Sequence, residues 1–296
     1  MNTLKLHPNA SKINLAKWGL KALCSASLIA LSTVQAQADI QLVFGTYAAD
    51  KPTETVRKFK PFLTYLGNEL TTSLGEPVSI KMHIAPSYDD GINDLVEGNV
   101  DFSRFGPASY VAAKESNPNV KIIAMESEKG SKTFKGVIAI HNDSDITELA
   151  DLAGHHFAFG DPLSTIGRYL AQSNLMEHGV YGKDLKGYEF LGRHDRVGAA
   201  VGTKKFDAGA LKIGTFDKLV AKGVQIKILF DFDNVTKPWI AKSELDPRVL
   251  SAMRQVFMDA KDPKVLKNIS KSGFLMGDDS DFSPIRAAIQ NSTKFD

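Results

Sequence analysis

The chain carries a single cysteine, Cys24, in 296 residues, so no intramolecular disulfide can form and no cysteine-rich zinc site can be built. Its 23 Gly and 12 Pro follow no period, which excludes a collagen-like or coiled-coil rod. A formal net charge of only +2 is too small for a nucleic-acid footprint, and no nucleic-acid partner is expected. The G-x-G-x-x-G, Walker A, H-E-x-x-H and G-x-S-x-G patterns are all missing. His155 and His156 are adjacent at a strand start and would point to opposite faces, a poor metal geometry. No catalytic residue, metal site or cofactor is therefore expected, and the chain reads as a binding protein rather than an enzyme. What remains is an ordinary globular composition, 43% hydrophobic and 24% charged, long enough for two lobes.

The first 38 residues stand apart. They hold Lys5, Lys12, Lys17 and Lys21 and no acidic residue. An apolar stretch from Ala22 to Val34 follows, ending in Ala36-Gln37-Ala38. A basic start, a short apolar core and a small-residue site read as a cleaved secretory signal peptide over residues 1–38. The apolar run is far below the ~20 residues that span a bilayer. Without this leader the chain has 32 basic and 34 acidic residues, a net charge of −2, and no cysteine. A cysteine-free product suits an oxidising compartment, and the periplasm is the expected location.

From Asp39 onward, strand and helix signals alternate. Ile40 to Gly45 is a buried strand candidate, and Pro52 to Leu74 is helical, with Val56, Phe59, Phe62, Leu63, Leu66 and Leu70 at helical spacing. Val78 to Ile84 alternates as a strand. Further strands are expected at residues 100–103, 120–125, 136–140, 156–159, 188–191, 208–211 and 225–230, with helices between them and only helices after Trp239. This pattern predicts α/β layering on a mainly parallel sheet.

Five strand-end turns carry candidate chemistry. In Gly160-Asp161-Pro162-Leu163-Ser164-Thr165-Ile166-Gly167, a strand runs into a helix whose first N–H groups lack intrahelical partners, with two hydroxyls beside them. That is an anion cradle, or a plain Ser164 cap. Phe105-Gly106-Pro107-Ala108-Ser109-Tyr110 and Gly45-Thr46-Tyr47 repeat the geometry. Gly192-Arg193-His194-Asp195 follows a strand and precedes a helix, and Asp207 of Phe206-Asp207-Ala208-Gly209 enters a buried strand, costly unless it is bonded. The first three turns would point their loops at one crevice, where ligands of open α/β sheets sit.

In order and spacing these motifs resemble the phosphonate/phosphite/phosphate-binding family of periplasmic solute-binding proteins, the receptors of ABC importers. The resemblance implies a two-lobed, type II Venus-flytrap α/β fold with two crossover hinge strands. Lobe one would hold residues 39–138 and 236–296, and lobe two residues 139–235. It implies capture of a phosphorus oxyanion between the lobes by a monomer that hands it to a membrane permease. By resemblance, Tyr47 and Tyr110 reach the ligand from lobe one. Ser164, Thr165 and the Ile166 backbone wrap its oxygens, and His194 and Asp207 complete the cage, with Asp207 accepting the ligand's remaining proton. Neutral donors are expected to hold the anion, in keeping with a nearly neutral chain. Ile166 departs from the family's Ser-Thr-Ser-Gly and removes one hydroxyl. Two other roles stay open for the sequence: the same fold as input to a membrane sensor kinase or cyclase, and a secreted phosphate-ester hydrolase.

Overall fold

The computed structural model describes residues 39–296 apart from Asp50 and Lys271; the leader over residues 1–38 lies outside the described residues. No described helix is long and apolar enough to cross a membrane.

Two sheets organise the chain. The first contains β1 (Ile40–Tyr47), β2 (Val78–Ala85), β3 (Phe102–Arg104), β4 (Lys121–Glu126), β10 (Pro238–Ala241) and β11 (Phe274–Leu275), in the order β11-β4-β10-β3-β1-β2. The second contains β5 (Thr133–His141), β6 (His156–Phe159), β7 (Gly187–Phe190), β8 (Ala208–Lys212) and β9 (Ile226–Val235), in the order β7-β6-β8-β5-β9. Both are mixed rather than mainly parallel. β2, β1 and β3 are parallel neighbours, as are β7, β6 and β8, but β10 runs against β3 and β4, and β5 against β8 and β9. β11 also runs against β4, and β5 and β10 are the strands by which the chain enters the second sheet and returns to the first.

Helices cover the sheets: α1 (Pro52–Leu74), α2 (Tyr88–Val96), α3 (Pro107–Ser116), α7 (Pro247–Asp259), α8 (Pro263–Leu266) and α9 (Ser283–Ser292) accompany the first. The second has α4 (Ala171–Glu177), α5 (His194–Gly202) and α6 (Ile213–Val220). α1 buries Phe59, Phe62, Leu63, Leu66 and Leu70, as its period demands, against Trp239 of β10, which is fully buried among Phe44, Phe62 and Phe257. In β5 the period of two is read directly. Val137 and Ala139 pack on one face of the second sheet, Ile138 and Ile140 on the other.

The chain passes from β4 to β5 through residues 127–132 and returns from β9 to β10 through Thr236-Lys237. The two passages are tied together: Thr236 N donates to Lys132 O at 2.8 Å, and Glu126 N to Lys237 O at 3.0 Å. The lobe boundary read at residue 138 falls inside β5, which pairs with β9 along its length from Thr133 to His141. The tail also departs from the lobe assignment read for it. α9 sets Ile285 and Ala288 against the first lobe, whereas Phe295 is fully buried in the second lobe's core, edge-on to Phe159. Gly182 N donates to Phe295 O at 2.7 Å.

Candidate functional site

The carboxyl-terminal ends of β1, β3, β6 and β8 all open onto one crevice between the sheets, a cavity of about 70 Å³. One water needs roughly 10–15 Å³ on this measure, and drug-sized pockets run to roughly 300 Å³ or more. The space therefore suits a small tetrahedral anion with a short substituent. Thr46, Tyr47, Lys58, Arg104 and Gly106 line it from the first lobe, and Ser164, Thr165, Ile166, His194 and Lys212 from the second; Lys237 lines it from the second crossover.

The cradle on the second lobe begins at Ser164, whose hydroxyl oxygen accepts Gly167 N–H at 3.0 Å. The turn that follows, Thr165–Leu170, is a π-helix that runs into α4. Such widened turns open the first-turn N–H groups, and they recur at functional sites. Thr165 and Ile166 lie in that first turn, where no intrahelical acceptor exists for their N–H groups. Gly160 and Gly167 make the turn possible: a Cβ on Gly167 would lie 2.8 Å from Gly160 Cα.

The first lobe answers with Tyr47. Its hydroxyl oxygen accepts Gly106 N–H at 2.7 Å and lies 2.8 Å from Ser109 Oγ. The ring stacks on Tyr88, centroids 3.7 Å apart. Burial pushes the Tyr47 phenol up to about 12, against the opposing effect of its Ser109 and Gly106 hydrogen bonds, so it stays a neutral donor. Gly106 leaves little room for a side chain: a Cβ there would lie 3.2 Å from Tyr47 Oη and 3.5 Å from Thr165 Oγ1 of the other lobe. The first turn of α3 reaches across the gap, Ala108 N donating to Thr165 Oγ1 at 2.8 Å.

Tyr47, Ser164, Thr165, Ile166 and His194 are thus brought together at one cavity. Tyr110 and Asp207 are not. Tyr110 of α3 is not among the residues that line the crevice, its hydroxyl donating to Asp279 Oδ1 at 2.8 Å and its ring 4.3 Å from Phe282. Asp207 precedes β8 and accepts His156 N–H at 2.8 Å, beside His155. Strands advance roughly 3.3 Å per residue, so Asp207 lies about 16 Å from the Lys212 end that faces the cavity. It ties the amino-terminal edges of β6 and β8 together and has no place in the cage assigned to it.

Nor are the donors neutral. Lys58, Arg104, Lys212, Lys218 and Lys237 line the cavity with one carboxylate, Glu54. Arg104 holds Glu126 in a bidentate pair, both contacts 2.8 Å, with each side chain only 10% exposed. Burial alone would raise the Glu126 carboxyl, but the Arg104 charge and hydrogen bonds outweigh it and keep it below the ordinary range. Lys237 lies over the Phe134 ring at 3.8 Å. Burial, then the neighbouring Arg104, Lys212 and Lys58, press its ammonium well below the usual lysine range, with Glu126 opposing. These cations come from α1, β3, β8, α6 and the crossover, so no local stretch of sequence announces them.

Two α/β lobes joined by paired crossovers and closed on a ligand-sized crevice are the architecture of the two-lobed solute-binding proteins. The chain belongs to the ABC transporter, phosphonate, periplasmic substrate-binding protein family, whose model matches residues 44–282. It is 28% identical over 210 residues to the phosphate-import protein PhnD of Mycolicibacterium smegmatis, covering 66% of this chain and 64% of that one. The match thus spans a little under two thirds of that relative's length. Among solved structures, PhnD1 of Prochlorococcus marinus in complex with methylphosphonate superposes with a TM-score of 0.74 at 22% identity, covering 86% of this chain and 98% of that one. A binding protein component of an ABC phosphonate transporter from Pseudomonas aeruginosa gives 0.73 at 21% identity, covering 88% of each.

Proposed function

We propose that this protein captures a small phosphorus oxyanion (phosphonate, phosphite or phosphate) between its lobes in the periplasm and delivers it to the membrane permease of an ABC importer. The observation that carries the reading is the composition of the crevice: first-turn N–H groups, the Ser164, Thr165 and Tyr47 hydroxyls, and a set of cations, around a space sized for a tetrahedral anion. Charge-assisted bonds to oxygen anions are the strong ones, and Arg104 and Lys237 add that charge where the hydroxyls supply direction. The names of the relatives support the same ligand class and the same importer role.

The lobes are proposed to part about the two crossovers, residues 127–132 and Thr236-Lys237, with Tyr47 on one and Ser164, Thr165, Ile166 and His194 on the other. The leader over residues 1–38 is proposed to be removed after Ala38, giving a protein that acts as a monomer. A thermal-shift screen over phosphate, phosphite and alkylphosphonates tests the ligand class, since a native-state ligand raises stability. At least one should raise the melting temperature in proportion to its logarithmic concentration; none doing so overturns the proposal. Small-angle scattering should show one monomer that contracts on ligand addition. Mass spectrometry of exported protein should find Asp39 first.

A further inference from the structure

In β9 the side chains alternate between water and core. Asp231 and Asp233 point outward and share Lys135, at 2.8 and 3.1 Å. Phe232 and Asn234 point inward, and Asn234 lines the crevice at only 3% exposure. An inward position after a core phenylalanine ordinarily calls for an apolar residue. Here it holds an amide whose Oδ1 is buried and has no hydrogen-bond partner in the structure. A buried polar atom left unpaired is costly, and each such atom in a native protein needs an explanation. The backbone around it is pinned: Asn234 pairs with Phe134 across β5, and Thr236 N is held by Lys132 O. The strand therefore holds Asn234 in its inward register, facing the crevice.

An amide oxygen is an acceptor without charge. In a crevice lined by cations, it can accept a hydrogen from a bound anion without repelling the rest of that anion as a carboxylate would. We propose that Asn234 is the specificity-determining residue of this site, its Oδ1 accepting the P–OH hydrogen of a singly protonated phosphorus oxyanion. This rests on the oxyanion reading above, and it gives to Asn234 the part that Asp207 is too distant to play. The ligand class it selects is a tetrahedral oxyanion that retains one proton, phosphate or a phosphonate. Sulfate is rejected, because it carries no hydrogen and would set an oxygen lone pair against Oδ1.

Calorimetry in mildly acidic buffer, where phosphate and methylphosphonate keep one P–OH, tests the assignment on the full protein, with sulfate as the proton-free comparison in the same buffer. Because all anions are measured at one pH, each meets the same free protein. Asn234→Leu should weaken methylphosphonate about tenfold or more while leaving sulfate unchanged or tighter, so the selectivity ratio collapses. Asn234→Asp should keep methylphosphonate and weaken sulfate further, widening the ratio. An equal loss for both anions in Asn234→Leu, or an unchanged ratio in both variants, overturns the proposal while leaving the receptor reading intact. If the leucine variant does not fold, an unchanged ratio in Asn234→Asp overturns it alone. Absence of any phosphorus oxyanion binding by the wild type overturns both readings together.

Discussion

The Ala108 N–H of one lobe donates to the Thr165 hydroxyl oxygen of the other at 2.8 Å. The Thr165 hydroxyl, which lines the cavity and is proposed above to meet the ligand, is also the acceptor that ties α3 of the facing lobe to it. Accepting from Ala108 uses one of the two lone pairs of the Thr165 oxygen and leaves its O–H free to donate to an anion. In the proposed site, ligand capture and lobe contact would share this one oxygen atom.

Thr165→Ala should remove both bonds at once. Hydrogen bonds to charged groups are worth roughly 1.5–3 kcal/mol, so affinity for the bound oxyanion should fall about ten- to a hundredfold. Thr165→Ser should restore most of it. Calorimetry with all three proteins checks this; wild-type affinity in the alanine variant removes the cradle from the site.

Tyr47→Phe should act on stability as well as binding. The substitution leaves the half-buried Gly106 N–H without its acceptor, at a cost of about 1 kcal/mol, the low end of the range for a fully buried group. The urea midpoint without ligand should drop accordingly, and the ligand-induced rise in melting temperature should shrink. An unchanged midpoint would mean that Gly106 finds another acceptor.

Glu126→Gln should destabilise the protein by about 3–5 kcal/mol, because Arg104 would be left as a buried charge without its counter-ion. The pH dependence has a definite sign. The folded carboxyl is held below its unfolded value, so its stabilising contribution is present above the ordinary glutamate value of about 4.3 and disappears as pH falls through the lower folded value. Chemical denaturation across the acid range should show that loss in the wild type and not in the glutamine variant.

Lys237 should make anion binding a proton-uptake reaction at alkaline pH. Its folded value lies well below the ordinary lysine value of about 10.4, and an anion in the crevice favours the charged form. Between the two values the ligand should bring a proton with it. In the empty protein the same depression makes stability rise with pH across that window, since the unfolded chain binds more protons. Calorimetric enthalpies in buffers of different ionisation heat should reveal the uptake, and Lys237→Met should abolish it.

Local periodicity carried most of the fold. α1 spans Pro52–Leu74, the stretch its apolar spacing marks, although Val56 at its open end is 42% exposed. β9 runs five residues past the apolar stretch read for it, because Asp231 and Asp233 interrupt the hydrophobic signal while obeying the strand's alternation. β10 is four residues long and begins at a proline, so it announces itself only through its pairing with β3 and β4. Strand-end motifs picked out Tyr47, Ser164, Thr165, Ile166 and His194, which line one cavity. Asp207 misled because a motif at a strand does not say which end faces the ligand, and β8 presents Lys212 there instead. Asn234 carried one signal, a polar residue in the inward register of a strand, which is visible only once the strand's full length is known.

Phe295 bears on what counts as a separable piece of this molecule. A gene fragment covering residues 127–237 would contain every strand of the second sheet, and it looks like an independent module. It would lack the one side chain that fills the space beside Phe157, Phe159 and Leu175 from a stretch of chain more than fifty residues further on. Emptying a site of that size costs about 3–5 kcal/mol, a large share of a small domain's stability. The second lobe is therefore completed in trans of its own sequence. A synthetic peptide of residues 283–296 supplied to the isolated fragment would act as its missing part.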